Sequence, residues 1–186
     1  LEKEGVKATF FVTGDFCDRY PEDVLKFFTA GHEIQNHSDT HPHVKGMNVN
    51  DLIADTKEAS RKIEMITNVK PTLYRTPYGE YDNVSLTALE GLGMKVIQWD
   101  VDSIDWKEVS AEQIQKRILE KTQAGSILLF HNDLANTTEA LPDLLKSLKE
   151  KGYSFVPVSE LIYQKDYTID HTGKQISSDP AEASNV

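Results

Sequence analysis

The chain has 186 residues, of which 39% are hydrophobic and 27% charged, and this is enough to bury the core of one folded domain. Its formal net charge of −10 argues against a nucleic-acid partner and against attachment to anionic lipids, because both rely on clustered Lys and Arg. No apolar run approaches the roughly 20 residues of a membrane span. The single cysteine, Cys17, allows neither an internal disulfide nor a cysteine metal site.

Strand-like and helix-like patterns alternate along the chain. In chain order they predict strand 7–13, helix 21–30, strand 33–35, helix 50–66, strand 72–75, helix 83–92, strand 94–99, helix 110–121, strand 126–130, helix 138–151, strand 153–156 and helix 158–163. Asn50 is the predicted cap of the second helix, and Ser110 with Gln113 forms a capping-box pattern. The alternation indicates parallel βα units, with residues 164–186 as a polar tail.

Polar clusters follow several of the predicted strands, where reactive groups of such folds lie. The clusters are His37 with His41, Arg75 with Tyr78, Asp102 with Asp105, and His131. We therefore expect them to converge on one face.

His37 and His41 are four residues apart. On a helical turn their rings would lie on one side, roughly 6 Å apart along the axis, which suits a shared zinc ion. Asn36, Ser38 and Asp39 add possible hydrogen-bond partners for metal-bound histidines. The alternative is a pair of surface histidines in a polar loop.

A catalytic zinc site takes a third protein ligand, most simply a carboxylate. Asp15 follows the first strand, but nothing else in the sequence marks it. The alternative is a third ligand from a segment outside this chain. His43 is left out of the site because its spacing from His41 fits the same helical face poorly.

His131 ends an apolar strand that would hold its imidazole firmly. Asp105 is the predicted partner that would raise its pKa and make it a general acid. Trp106 would then be a wall of the substrate pocket. The alternatives are a structural histidine, aspartates that cap a turn, and a core tryptophan.

The segment Arg75-Thr76-Pro77-Tyr78-Gly79 joins a guanidinium to a rigid turn. Arginine makes bidentate contacts with carboxylates, so Arg75 is suited to hold a catalytic aspartate. The turn could aim a backbone N–H at a developing oxyanion. Taken alone, the same residues are typical of a surface loop with an exposed arginine.

The order of these motifs resembles that of the polysaccharide deacetylases, the NodB-like domain of carbohydrate esterase family 4. His-Ser-x-x-His stands at 37–41, Arg-x-Pro-Tyr-Gly at 75–79, Asp-x-x-Asp-Trp at 102–106 and Leu-x-His at 129–131. The opening Lys-Ala-Thr-Phe-Phe-Val-Thr-Gly at 7–14 also resembles the family, and the likeness extends from about residue 1 to residue 162.

The resemblance implies an α/β fold, a distorted (β/α)7-type barrel, and a divalent metal, usually Zn²⁺, bound by an aspartate and two histidines. It assigns the metal ligands to His37 and His41, the orienting of the catalytic base to Arg75, and the oxyanion N–H to Tyr78. It makes His131 the proton donor to the leaving amine, tuned by Asp105. It assigns the substrate pocket to Trp106, Leu129 and Pro77.

One motif of the family is absent. Its first strand, of the type Thr-Phe-Asp-Asp-Gly, carries the base and the aspartate ligand, but no Asp-Asp pair occurs in this chain, and Thr76 stands where many members have proline. We therefore expect residues 1–163 to be a deacetylase domain without its N-terminal strand, which an upstream segment or a companion chain would supply.

The implied function is metal-dependent removal of N-acetyl groups from peptidoglycan or a chitin-like N-acetylglucosamine polymer. The family's substrate implies an extracellular or cell-wall location, which composition leaves open. Two alternatives remain: a non-catalytic carbohydrate-binding module of the same fold, and a metal-dependent amidohydrolase that acts on small cyclic amides. Paired aspartates before Leu1 would argue against the binding module, and acetate release from sugar polymers would separate all three.

Overall fold

The computed structural model describes residues 1–107 and 109–178, which form two compact units. The first unit comprises residues 7–98, and the second contains residues 1–6, 99–107 and 109–178. Among the described residues, none of the helices combines the length and the apolar character that crossing a membrane requires. The predicted domain boundary at residue 163 stays a prediction.

The first unit is built on a four-stranded parallel sheet in the order β1-β2-β3-β4. Its elements are β1 Thr9–Val12, α1 Gly14–Arg19, α2 Pro21–Thr29, β2 Glu33–Asn36, α3 Val49–Thr67, β3 Leu73–Tyr74, α4 Asn83–Gly91 and β4 Lys95–Val96. A 3-10 turn at Pro77–Gly79 follows β3. Thr9 of β1 pairs with Glu33 of β2, and Val12 pairs with Asn36, so both strands end at the same edge.

Helix α3 carries one buried face, with Leu52, Ala59 and Ile63 at 1% exposure or less. Asn48 is its N-cap, and the Asn48 side chain accepts a hydrogen bond from the backbone N–H of Asn50 at 2.8 Å. The prediction that Asn50 caps this helix is therefore wrong by two residues, because Asn50 already lies inside the first turn.

The second unit pairs two short parallel strands, with two helices packed over an apolar core. Its elements are a 3-10 turn Glu2–Glu4, β5 Val101–Asp102, α5 Ala111–Lys121, β6 Leu128–Leu129, α6 Ala135–Glu150, α7 Val158–Leu161, β7 Tyr167–Ile169 and β8 Gln175–Ser177. The Ser110 capping box is confirmed, since the Ser110 hydroxyl accepts from the Gln113 N–H and the Gln113 side chain accepts from the Ser110 N–H.

Three segments between residues 14 and 156 differ clearly from the sequence predictions. Helix α1 was not predicted, and α6 begins at Ala135 instead of 138. Residues 153–156 form no strand, because Tyr153 and Phe155 pack against the core of the second unit without joining a sheet.

The segment interpreted as a polar tail contains an antiparallel hairpin of β7 and β8. The Asp170 side chain organises its turn by accepting from the backbone N–H groups of Thr172 at 2.8 Å and Lys174 at 3.1 Å. Such aspartate-centred turns need only one polar side chain, so apolar periodicity does not reveal the hairpin. Residues 179–186 lie outside the described residues.

Candidate active site

His37 and His41 follow β2, and their ring centroids lie 4.9 Å apart with the planes at 77°. The backbone between them is not helical: Ser38 has φ 71° and His41 has φ 58°. The expected helical turn is therefore wrong, while the expected pairing of the two rings is confirmed. The loop brings the rings together through two left-handed residues, a conformation that non-glycine residues adopt only when neighbouring contacts hold it.

Side chains of the loop itself provide some of those contacts. The Asn36 side-chain oxygen accepts the Ser38 N–H at 2.7 Å, and the Ser38 hydroxyl accepts the His41 N–H at 2.9 Å. The Asn36 amide group donates to the Thr56 carbonyl and the Ser60 hydroxyl of α3, both at 2.9 Å. Asn36 and Ser38 thus support the backbone of the loop, while their predicted hydrogen bonds to metal-bound histidine rings stay a prediction.

The tautomer of His37 follows from its partner. Its Nδ1 lies 2.7 Å from the carbonyl oxygen of Arg75, and since a carbonyl only accepts, Nδ1 carries the proton. The Nε2 lone pair is then the one that a metal would use, as in most metal-bound histidines. The donor set of His37 and His41 fits a divalent cation such as Zn²⁺ in chemistry and in proximity.

The third ligand stays a prediction. In the described part of the chain, no three His, Cys, Asp or Glu side chains are grouped as a metal site would require. Asp15 is exposed in the first turn of α1, and its backbone N–H donates to the Asp39 carbonyl at 2.9 Å.

Arg75 is buried at 8% exposure, so its interpretation as an exposed surface arginine is wrong. Its guanidinium lies 4.2 Å from the centre of the Phe11 ring, and its Nη2 donates to the Gln98 carbonyl at 3.4 Å. Burial lowers the pKa of Arg75 to about 10, which still leaves the side chain charged at neutral pH. Its role in orienting a catalytic base stays a prediction.

Tyr78 has φ 58° within the 3-10 turn, and its side chain is 58% exposed next to the buried Pro77. Its ring contacts two imidazoles: His41 edge-on at 4.6 Å and His43 stacked at 4.1 Å. His43 was excluded on helical spacing, but the left-handed backbone at His41 brings it beside the site. The carboxylate of Glu80 orients the His43 ring, because Glu80 Oε2 lies 3.0 Å from His43 Nδ1.

In the second unit, Asp105 and His131 form the predicted pair. The Asp105 side chain is fully buried, and its Oδ1 lies 2.7 Å from His131 Nδ1. Its Oδ2 accepts the His131 backbone N–H at 2.7 Å and the Thr137 hydroxyl at 2.6 Å. The carboxylate thereby fixes both the backbone and the ring of His131, as it would have to for a directed proton donor.

Electrostatics favour the charged forms of this pair. The hydrogen bond that His131 donates to Asp105 raises the pKa of His131, while burial opposes this effect. The charges of Asp105, Asp102 and Asp133 also raise that pKa. Burial by itself would raise the pKa of Asp105, but the hydrogen bonds from His131 and Thr137 outweigh it and lower that pKa. An imidazolium is thus stabilised against a carboxylate.

The sequence analysis did not identify three residues that donate hydrogen bonds to Asp105 or to the nearby Asp102. Besides Thr137, the Asn136 amide donates to the carbonyls of Asp105 and Val109 at 3.1 and 3.0 Å. Arg117 Nε donates to the Asp102 carbonyl at 2.6 Å. Their places in α5 and α6 follow from packing, and no motif spacing reveals them.

The predicted pocket residues of this unit differ in exposure. Trp106 is 57% exposed, with Lys107 Nζ 4.9 Å from the ring centre, while Leu129 is 8% exposed within β6. An exposed indole is available for a sugar ring, whereas Leu129 is largely covered. Their roles towards a substrate, and the convergence of the two histidine clusters, stay predictions.

The chain is similar to known proteins of one family. A family model described as polysaccharide deacetylase matches residues 1–97. The peptidoglycan-N-acetylmuramic acid deacetylase PdaC of Bacillus subtilis is 32% identical over 161 residues, which cover 87% of this chain and 34% of that protein. The peptidoglycan-N-acetylglucosamine deacetylase PgdA of Listeria monocytogenes is 33% identical over 165 residues, which cover 89% of this chain and 35% of that protein. The chain spans about a third of the length of these curated relatives.

Among solved structures, a CE4 family pseudoenzyme from Bacillus anthracis matches with a TM-score of 0.84 and 33% identity, over 89% of this chain and 58% of that one. The likeness confirms the predicted α/β fold. Together with the family model, which covers more than half of the sequence, it establishes the family. This chain belongs to the polysaccharide deacetylase family.

Proposed function

We propose that the chain forms part of a metal-dependent hydrolase that removes N-acetyl groups from peptidoglycan. The observation that carries the proposal is the buried Asp105 carboxylate bound to His131, because this pair holds a proton at a defined ring. The relatives PdaC and PgdA are named as deacetylases of N-acetylmuramic acid and N-acetylglucosamine in peptidoglycan, which favours that polymer. A cell-wall location follows from the same substrate.

His37 and His41 would hold the divalent cation, most simply Zn²⁺, through ring nitrogens, because their rings lie side by side and Nδ1 of His37 is bound to the Arg75 carbonyl. When bound, such a cation supplies Lewis-acid polarisation of an acetyl carbonyl and makes water more acidic. His37 keeps its orientation through the Arg75 carbonyl, so the ring does not need to reorganise when a ligand binds.

His131 would give its proton to the nitrogen that leaves, and Asp105 would stabilise the imidazolium before that transfer. The Tyr78 backbone N–H would donate to the oxyanion, and Arg75 would orient the base. Trp106, with Leu129 and Pro77, would shape the acetyl pocket. General acid catalysis of this kind contributes on the order of 100-fold or more to the rate.

A non-catalytic sugar-binding role is the second candidate. It is favoured by the match to a CE4 family pseudoenzyme over 89% of this chain. Such a protein would bind the polymer without releasing acetate.

The test is acetate release from purified peptidoglycan and from chitin oligomers, using the protein with any sequence that flanks this chain in its gene. We expect His131→Ala to reduce release at least 100-fold while Zn²⁺ binding, measured by calorimetry, is unchanged. His171→Ala, which removes an exposed histidine from the hairpin turn, is the matched control. Near-normal release by His131→Ala would remove His131 from the mechanism. Polymer binding without release by the unmodified protein would support the binding module.

A further inference from the structure

Helix α3 holds the loop between the two histidines through the carboxylate of Asp55. Asp55 Oδ1 accepts the Asp39 backbone N–H at 2.9 Å. Asp55 Oδ2 accepts both the backbone N–H and the hydroxyl of Thr40, at 3.3 and 3.2 Å. One carboxylate therefore binds both residues that immediately precede His41, and hydrogen bonds to a charged acceptor are stronger than neutral ones.

A second attachment lies about two turns further along α3. Lys62 Nζ is 2.7 Å from Asp39 Oδ1 and 2.7 Å from Asp18 Oδ2. The side chains of Lys62 and Asp39 are 13% and 16% exposed, so water screens their attraction only partly. The same helix thus contacts the backbone and the side chain of Asp39.

The Asp39 carboxylate lies so close to the backbone of residue 14 that only glycine fits there. A Cβ at Gly14 would lie 1.7 Å from Asp39 Oδ1. On the same side, the Gly14 N–H donates to the Ser38 carbonyl at 3.0 Å. The start of α1 and the side of α3 therefore enclose the middle of the loop from two directions.

The loop between the two histidines needs support from neighbouring elements, because its backbone conformation costs free energy. Ser38 and His41 have positive φ, and such residues persist only where the surroundings determine them. Asp55 lies on a helix whose inner residues Ala59 and Ile63 are fully buried, so it provides a rigid point of attachment.

We propose that Asp55, assisted by the Lys62–Asp39 ion pair, is a positioning residue that sets the relative placement of the His37 and His41 rings and thereby the affinity of the site for a divalent cation. The part that concerns the cation rests on the proposed function. The part that concerns the loop does not, because it is a property of the metal-free chain.

Asp55→Asn tests the proposal with almost no change in shape. The amide keeps one acceptor oxygen but turns an NH₂ group towards a backbone N–H or the Thr40 hydroxyl. In the metal-free protein we expect amide exchange of Asp39 and Thr40 to accelerate at least about tenfold, and the proton contacts between the two rings in NMR spectra to weaken. In calorimetry we expect Zn²⁺ to bind about 10- to 100-fold more weakly.

Asp51→Asn is the matched control, since it removes the same charge from an exposed position one turn earlier on α3 and should change neither measurement beyond about twofold. Lys62→Met keeps the length of the side chain but removes its bonds to Asp39, and it should produce the same pattern more weakly. It also serves as the test if Asp55→Asn does not fold.

The outcomes separate the two proposals. If the unmodified protein binds no Zn²⁺, the proposed metal function fails, while exchange rates and ring contacts still decide the role of Asp55. Unchanged exchange and ring contacts in the Asp55→Asn variant, or in the Lys62→Met variant if that one alone folds, would overturn the positioning role. Accelerated exchange with unchanged Zn²⁺ affinity would overturn its link to the cation.

Discussion

The buried carboxylate of Asp105 is ionised although burial opposes its charge. Three hydrogen bonds reach it, two from His131 and one from Thr137, and they compensate for the lost hydration. The free energy that charged His131 contributes is fully present below its unfolded pKa of about 6.5 and is lost as the pH rises through the raised folded value. The hydrogen bond to Asp105 thus favours the protonated form of His131, which is the form that a general acid requires.

The pH dependence of acetate release reports this effect. If His131 donates a proton, the rate falls as the pH rises through its pKa. Asp105→Asn removes the main cause of the raised pKa of His131, so we expect the basic limb of kcat/KM to move to lower pH. Asp133→Asn removes an exposed charge that has a smaller effect on the pKa of His131, so it should move the basic limb less. An unmoved limb in Asp105→Asn would show that another group controls it.

The pairing of His131 with Asp105 was predictable from the sequence because both follow strands and carry complementary chemistry. The inclusion of Thr137 was not, since it depends on where α6 begins, three residues before the predicted start. His43 was excluded because helical spacing was assumed for a loop whose His41 is left-handed. Local backbone conformations of this kind follow from side-chain hydrogen bonds that residue spacing does not encode.

Helix α1 is an element that the sequence patterns did not predict. Thr13 caps it, with Thr13 Oγ1 accepting the Phe16 N–H at 3.1 Å, and Asp15 lies in its first turn. Gly14 suggested only the end of a strand, because glycine is a weak helix former. The packing of Asp39 explains why this position is glycine nonetheless.

Gly14→Ala separates helix propensity from packing. Propensity alone would favour alanine, but its Cβ would overlap the Asp39 carboxylate, so we expect a loss of about 1–3 kcal/mol in the free energy of unfolding. Gly91→Ala, in the last turn of α4, places its Cβ where no heavy atom lies within 4 Å and should stabilise by about 0.4–1 kcal/mol. Urea unfolding of the two variants measures both. A Gly14→Ala protein as stable as the original would contradict the packing of Asp39.

Strand boundaries were the least predictable part of the elements. The segment 126–130, predicted as one strand, contains a strand of only two residues, Leu128–Leu129, although Phe130 also packs against the apolar core of this unit. Residues 153–156 show the same effect without any strand.

At the scale of the whole molecule, the α/β class was predictable because alternating strand and helix patterns admit few other architectures. The division into two compact units and the hairpin of residues 167–177 were not, since neither has a periodic signal. The function depended on the order of four short motifs, each of which is weak by itself. Folding alone does not require all four motifs in one chain. Their occurrence together in this order therefore indicates the family.

Acetate release from peptidoglycan as a function of added Zn²⁺ tests the account most directly. The protein, with any flanking sequence of its gene, is first treated with a chelator and then titrated with the metal. We predict that release stops on chelation and returns as Zn²⁺ is restored, because the adjacent rings of His37 and His41 would bind the metal in the proposed function. Release that survives complete chelation, or bound Zn²⁺ and bound peptidoglycan without any acetate, would contradict the account.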